Sequence, residues 1–251
     1  MSMLVTMVVP EGIVMAADSA ISTFKMMDMI NLTKGNYSEF IKNTFEGSCA
    51  LEKENIIGNK IVTKSACKLR IMKGNNIAFS DGNQRNFKNI SLAPYLEYFC
   101  QHNNYDDPKS CADGLLLFIK SIYPNINAEY HICGYNNVNG IPQPEFWYVN
   151  VHENQVINPF GEARYAIGFC GANEYFSQYV PQINKNIFSY SLQDAIDITM
   201  FAIDMCIKLG RFIDHEELIL PPVDLLVIEP TGCKWIQQKT LKTEGLYGGF
   251  C

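Results

Sequence analysis

A few residue sets in this sequence have types and spacings that bear on chemistry. The first is Ser2. Ser is small, so removal of the initiator Met ahead of it is expected. No propeptide is expected before Ser2, so that removal alone would expose it. An N-terminal Ser carries a hydroxyl and a free α-amine on one carbon. The amine titrates near about 7.7–8.0 in model peptides, so it serves as a base near neutral pH. A hydroxyl nucleophile beside its own base is an arrangement suited to attack on a carbonyl. Cys67 next to Lys68 is a second set, since a neighbouring cation lowers a thiol's pKa; its setting favours a buried structural cysteine. His131 and Cys133 lie two apart on one face of a strand and carry metal-ligating atoms. No second pair accompanies them, so they read as core packing. His215-Glu216-Glu217 lacks the second His of a zinc-protease helix, and no G-x-G-x-x-G or Walker loop occurs. Neither a metal nor a cofactor is expected. On their own, Asp18, Lys68 and Gly82 read as a turn residue, a strand-edge charge and a turn glycine.

The elements that must position these residues sit in a chain of 251 residues, 47% hydrophobic, 18% charged and 12% aromatic. Such a chain buries a real core and is not intrinsically disordered. The net charge is −6 and the isoelectric point about 5.3. Lys and Arg are scattered, without the clustered basic surface that phosphate binding needs, so nucleic acid is not an expected partner. No apolar run approaches the ~18 residues of a membrane span. The apolar N-terminal stretch lacks a basic start and contains Pro10, Glu11 and Asp18, which argues against a signal peptide. Nine cysteines, no C-x-x-C pair and no signal suggest a reducing cytoplasm without a disulfide framework. The N-x-[ST] matches at Asn31, Asn36 and Asn89 are then chance.

Periodicity and turn signals lay out the elements. Met3 to Val9 and Ile13 to Ala17 flank Pro10-Glu11-Gly12 and read as a β-hairpin. Residues 24–62 are polar and Asn-rich and read as an insertion. Lys68–Met72 and Asn76–Ser80 form a second strand pair. Residues 84–122 are helical, broken near Pro94 and at Asn103–Pro108, with Ser110 and Asp113 as an N-cap pair. Ala128–Gly134, Glu145–Asn150, Gln155–Asn158 and Arg164–Phe169 are strand-like, and Gly171–Tyr179 is a short helix. Ser191–Leu209 is an amphipathic helix capped by Ser191 and Asp194. Val223–Glu229 and Lys234–Gln238 are the last strands. Segregated blocks of strands and helices point to α+β layering.

Two of these segments resemble the proteasome β-subunit family of N-terminal-nucleophile hydrolases, bacterial proteasome-like proteins included. Gly12-Ile13-Val14-Met15-Ala16-Ala17-Asp18-Ser19 looks like the family's second strand and its acidic residue, sixteen positions after the nucleophile; Ser2 to Asp18 is also sixteen. Lys68-Leu69-Arg70-Ile71-Met72 and Ile77-Ala78-Phe79-Ser80-Asp81-Gly82 resemble the lysine-bearing strand and the oxyanion glycine, and the family spacing of fourteen is kept from Lys68 to Gly82. More loosely, Ile132–Asn136, Phe146–Val149, Tyr165–Gly171, the helix from Ser191 and Val223–Ile228 resemble the family's later elements.

The resemblance implies a four-layer αββα sandwich, two antiparallel sheets flanked by helices, in one domain spanning 1–251 with an atypical insertion at about 24–62. It implies an amide-bond hydrolase, acting on peptides, with Ser2, Asp18, Lys68 and Gly82 as catalytic residues. Ser2 Oγ attacks a carbonyl while its amine takes the proton. Lys68 lowers the hydroxyl's proton affinity, Asp18 keeps Lys68 charged, and the Gly82 N–H stabilises the oxyanion, worth ~2.7–4 kcal/mol per donor elsewhere. The implied partners are a peptide or protein substrate and further copies of the chain, in a ring or stacked oligomer; an ATPase partner is left open. The alternatives are a non-catalytic subunit that kept the fold and a small-molecule amidase. The chain departs from the family pattern in having Ser for Thr, about 34 additional positions between Asp18 and Lys68, Cys170 where a supporting serine aligns, and only Gly210 or Asp214 for a supporting Asp.

Overall fold

The computed structural model describes residues 3–19, 21–24, 60–63, 67–85, 92–171, 176–213 and 219–239. The chain opens with β1 (Met3–Val9) and β2 (Gly12–Ala17), the expected hairpin. Every residue of both strands is buried, which a strand covered on two faces requires. β1 pairs on its other side with β10 (Ala166–Gly171), and β2 pairs with β11 (Asp224–Glu229), which turns back into β12 (Gly232–Gln237). Gly232 has φ of 132°, a left-handed turn conformation that suits glycine. The result is a five-stranded antiparallel sheet in the order β10-β1-β2-β11-β12.

A second five-stranded antiparallel sheet runs β5-β6-β7-β8-β9. Its strands are β5 (Leu69–Ile71), β6 (Ile77–Arg85), β7 (Asn127–Val138), β8 (Ile141–Asn150) and β9 (Gln155–Ile157). Between β6 and β7 come α1 (Ala93–His102) and α2 (Pro108–Ile122). The cap of α2 is Asp107 rather than the expected Ser110: its side chain accepts from the Ser110 amide at 2.8 Å. Pro108 at the first helical position has no N–H to satisfy, which places the cap one residue before it.

After β10, α3 (Val180–Lys185) and α4 (Leu192–Ile213) follow. Part of the stretch read as a helix at 171–179 lies outside the described residues; Ser177–Tyr179 is a 3-10 turn. The Ser191–Asp194 capping box is present, with Asp194 N donating to Ser191 Oγ at 3.1 Å and Ser191 N donating to the Asp194 carboxylate at 2.9 Å. Glu11, in the first hairpin turn, also accepts from the Leu192 amide at 2.8 Å, which ties that turn to the start of α4.

Three apolar clusters result. Met3, Val5, Met7 and Val14 meet Ala195, Ala202 and Cys206 of α4. Phe79, Tyr130 and Ile132 meet Phe99, Leu115 and Ile119 of α1 and α2. Leu4, Val8, Met15 and Leu226 meet Leu69, Ala78, Cys133 and Phe146 between the sheets. The period-two alternation of β1 thus splits its residues between two cores.

The expected four-layer αββα sandwich of two antiparallel sheets flanked by helices is corrected here. The described residues form a third sheet, in which β3 (Ile21–Phe24) pairs antiparallel with β4 (Lys60–Thr63). After the Asp18–Ser19 corner the chain meets its backbone hydrogen-bonding needs in this separate ribbon rather than in either large sheet. The ribbon brings together the two ends of the segment read as an insertion, and residues 25–59 lie outside the described residues.

Candidate active site

The strand ends that bracket the first hairpin's open side carry a buried charge pair. Asp18 follows β2 and is fully buried; Lys68 precedes β5 and is 2% exposed. Lys68 Nζ lies 2.5 Å from Asp18 Oδ1. The same oxygen accepts the Met3 amide at 2.9 Å, Asp18 N donates to Met3 O at 3.2 Å, and Oδ2 accepts the Leu220 amide at 3.3 Å. The carboxylate therefore holds three elements at once: the start of β1, the lysine before β5 and the loop before β11. Burial pulls the Lys68 pKa down from its ordinary value, and the Asp18 charge and hydrogen bond act against that shift. An ammonium so placed gives up its proton more readily than an exposed lysine, yet has a counter-charge to retain it.

Ser2, the expected nucleophile, lies outside the described residues. Its neighbour Met3 is the residue whose amide is bonded to Asp18. Gly82 lies on β6, where the register with β7 shifts between Asp81 and Gln84, and among the described residues neither Gly82 nor Asn83 has a partner in that register. A bulge of this kind turns backbone groups out of the ladder. A side chain at Gly82 would come within 2.8 Å of Cys170 Sγ and of the Glu129 carbonyl oxygen, so only glycine fits. Cys170 donates to Glu129 Oε2 at 2.8 Å. The structure thus brings Asp18 and Lys68 together, places Met3 on the pair, and puts Gly82 beside Cys170 and Glu129. Asp214 and His215 lie outside the described residues.

Other expectations resolve as follows. Cys67 is exposed rather than buried, and partial desolvation nonetheless pushes its thiol pKa up, with Arg70 acting in the opposite direction. No two of the seven described cysteines are joined in a disulfide. His131 points between the sheets, its Nδ1 3.0 Å from Thr6 Oγ1 and its ring edge-on to Phe146. Burial lowers its pKa to about 3, so it is neutral, the state of a core histidine. Among the described residues no three His, Cys, Asp or Glu side chains form a metal-binding group, and no described helix is long and apolar enough to cross a membrane.

Several polar residues at this end were not anticipated from sequence. Arg70 pairs with Asp81 at 2.7 Å, both nearly buried. Asp224 pairs with Lys239 at 2.8 Å. The signal that marks Asp224 is a carboxylate opening an otherwise apolar run, Val223 to Ile228. Glu129 has no such mark, since it alternates with apolar residues as any half-exposed strand position does.

No protein-family model matches the sequence, and a search of curated proteins finds no match. Solved structures do match. Anbu (ancestral beta-subunit) from Yersinia bercovieri is similar with a TM-score of 0.58 at 12% identity, over 94% of this chain and 87% of that one. An Anbu (Gly-1) mutant from Hyphomicrobium sp. strain MC1 is similar with a TM-score of 0.56 at 13% identity, over 98% and 90%. Identities this low establish likeness of fold. The fold is proteasome-related. The resemblance to proteasome β-subunits is corrected to this extent: the neighbours are Anbu proteins, a distinct family. The four-layer sandwich of the N-terminal-nucleophile class gives way with it to the Anbu-like arrangement. The reason is physical. The Ser2–Asp18 and Lys68–Gly82 spacings reflect the dimensions of a hairpin and a strand pair, and such dimensions do not separate one proteasome-related family from another.

Proposed function

We propose that the protein hydrolyses amide bonds in peptides, with Ser2 as nucleophile once Met1 has been removed. Ser2 Oγ attacks the carbonyl carbon and its proton passes to the Ser2 amine. The Lys68 ammonium stabilises the forming alkoxide, and Asp18 holds Lys68 in place. The oxyanion accepts from the Gly82 N–H. Collapse breaks the C–N bond, the leaving amine takes the proton, and water then hydrolyses the ester to free Ser2. The observation that carries this reading is the bond from the Met3 amide to the same Asp18 oxygen that pairs with Lys68. It ties the residue after Ser2 to the carboxylate that holds the ammonium.

The chain is read as one domain with its insertion at about 24–62, associating with further copies of itself. Phe201 and Phe212 on α4 and Phe188 before it are 59%, 78% and 74% exposed, apolar side chains available for such association.

Intact-mass analysis with a β-lactone probe and a fluorogenic peptide panel tests the proposal. Loss of Met1, one label on residue 2 and no turnover in Ser2→Ala are expected. A retained Met1, or full activity in Ser2→Ala, overturns it. A retained Met1 would favour a non-catalytic member of the same fold, a reading to which the Cys170–Glu129 bond lends weight, because it engages the thiol that replaces a supporting hydroxyl. Cleavage of acyl amides but not peptides would mark a small-molecule amidase.

A further inference from the structure

A second buried ammonium–carboxylate couple stands behind the first. Asp224 opens β11 in register with Ala17, the residue before Asp18. It is fully buried, and the Lys239 side chain is 3% exposed. Asp224 Oδ1 accepts the Lys239 amide at 2.9 Å, and Oδ2 faces Lys239 Nζ at 2.8 Å in a charge contact without hydrogen-bond alignment. The Lys239 ammonium donates instead to Ser19 Oγ at 2.8 Å. Ser19 Oγ donates in turn to the Pro222 carbonyl, and the Ser19 amide donates to the Leu220 carbonyl at 2.9 Å. Leu220 N donates to Asp18 Oδ2 at 3.3 Å. Gln237 anchors the same segment through the Val223 carbonyl at 2.8 Å. A continuous set of polar contacts therefore runs from the end of β12, through the loop before β11, to the carboxylate that holds Lys68.

A buried couple repays its desolvation only where good geometry and further hydrogen bonds satisfy both charges. The Asp18–Ser19 corner has Lys68 and Met3 on one side and Lys239, Leu220 and Pro222 on the other. Without the second set, the corner would be held from one side only, and the aim of Asp18 would rest on Lys68 and the Met3 backbone.

We propose that Asp224 and Lys239 are positioning residues of the site: by clamping Ser19 from behind, they fix the orientation of Asp18 and set the electrostatic environment of Lys68. The inference rests on the reading of Ser2, Asp18 and Lys68 as the reacting constellation. Among the described residues, the charged groups that face Lys68 are Asp18 at the end of β2, Asp81 on β6 and Lys239 after β12; the first and second favour its protonation and the third opposes it. Asp224, beside Lys239, offsets part of that opposition. The neighbouring Cys67 thiol responds to the same Asp224, Lys239 and Asp81 charges and to Arg70.

The test is a pH titration of the Lys68 side chain by NMR in protein carrying carbon-13 lysine, the resonance assigned with Lys68→Arg. Lys239→Met removes a like charge, and the Lys68 midpoint is expected to rise by about half a pH unit or more. Asp224→Asn leaves the Lys239 charge less compensated, and the midpoint is expected to fall. Lys239→Arg keeps the charge and holds the wild-type midpoint. Opposite signs from two partners of one ion pair are not the result of general loosening, which moves both the same way. Should one variant fail to fold, the sign from the other decides. An unchanged Lys68 midpoint in folded Lys239→Met or Asp224→Asn overturns the proposal. The rate at which a β-lactone probe labels Ser2 is followed in parallel: it is expected to drop roughly tenfold in Lys239→Met and to recover in Lys239→Arg. If wild type takes up no label while the Lys68 midpoints still move as stated, the hydrolase reading fails and the positioning role stands.

Discussion

The space near and between the two large sheets treats polar groups in two ways. At one end, Asp18 with Lys68 and Asp224 with Lys239 are buried as charged couples. At the centre, His131 and Thr6 are buried as a neutral pair. The difference lies in what surrounds each group. A buried charge survives where an opposite charge and backbone amides converge on it, as Met3 and Leu220 converge on Asp18. His131 has one hydroxyl and an aromatic edge, so burial drives it to the uncharged form. In this chain the Asp18 and Asp224 couples sit at strand ends, while the His131–Thr6 pair between the sheets stays uncharged.

The contrast can be broken most severely at Lys68. Lys68→Met strands a fully buried carboxylate and is expected to cost about 3–5 kcal/mol in urea unfolding. Adding Asp18→Asn to that variant should recover much of the loss, since the charge left alone is then gone. If Lys68→Met unfolds like wild type, the pair is not an obligate unit.

The neutral centre is tested by acid. The folded His131 pKa is about 3, below the unfolded value of about 6.5. Between these values the unfolded chain binds the proton and the folded chain does not, so this group's contribution falls as pH drops from 6.5 toward 3, by about 1.4 kcal/mol per unit. His131→Gln removes the titrating group. Relative to that variant, wild type is expected to lose about 3 kcal/mol between pH 6.5 and pH 4. A constant difference over this range would mean that His131 is not forced neutral. Thr6→Val, which leaves the ring nitrogen without its hydroxyl, should cost about 1–2 kcal/mol at neutral pH.

The smallest effect sharpens the lesson. Lys109 and Asp113 on α2 pair at 2.5 Å, as close as Lys68 and Asp18, but are 39% and 49% exposed. Asp113→Ala, which leaves the Lys109 contact with the Trp147 ring in place, should change stability by no more than about 0.5 kcal/mol, because water screens an exposed pair. A larger loss would show that distance rather than burial decides.

Much of this architecture was legible in the residues. Pro10-Glu11-Gly12 between two apolar runs marked the first hairpin, and the Ser191–Asp194 box with its apolar stripe marked α4, because turns, caps and periodicity are local signals. The spacing from Lys68 to Gly82 reflected a strand pair, and β5 and β6 form it. Legibility failed where partners are distant in sequence. Cys67, read as a buried structural cysteine, emerges at the surface. Asp107, not Ser110, caps α2, since Pro108 set the helix start. Asp224 and Lys239 carried no motif, for they are joined only when β12 folds back along β11.

The sequence by itself determined the strands, the principal helices and the residue types able to act at the chain's beginning, because these follow from nearest-neighbour sterics and apolar spacing. Only the tertiary structure decided which charges meet. The carboxylate of Asp18 reaches Lys68 fifty positions away and the amide of Leu220 more than two hundred away, and no local rule specifies such pairings. They arise where burial makes an unpaired charge too costly to keep.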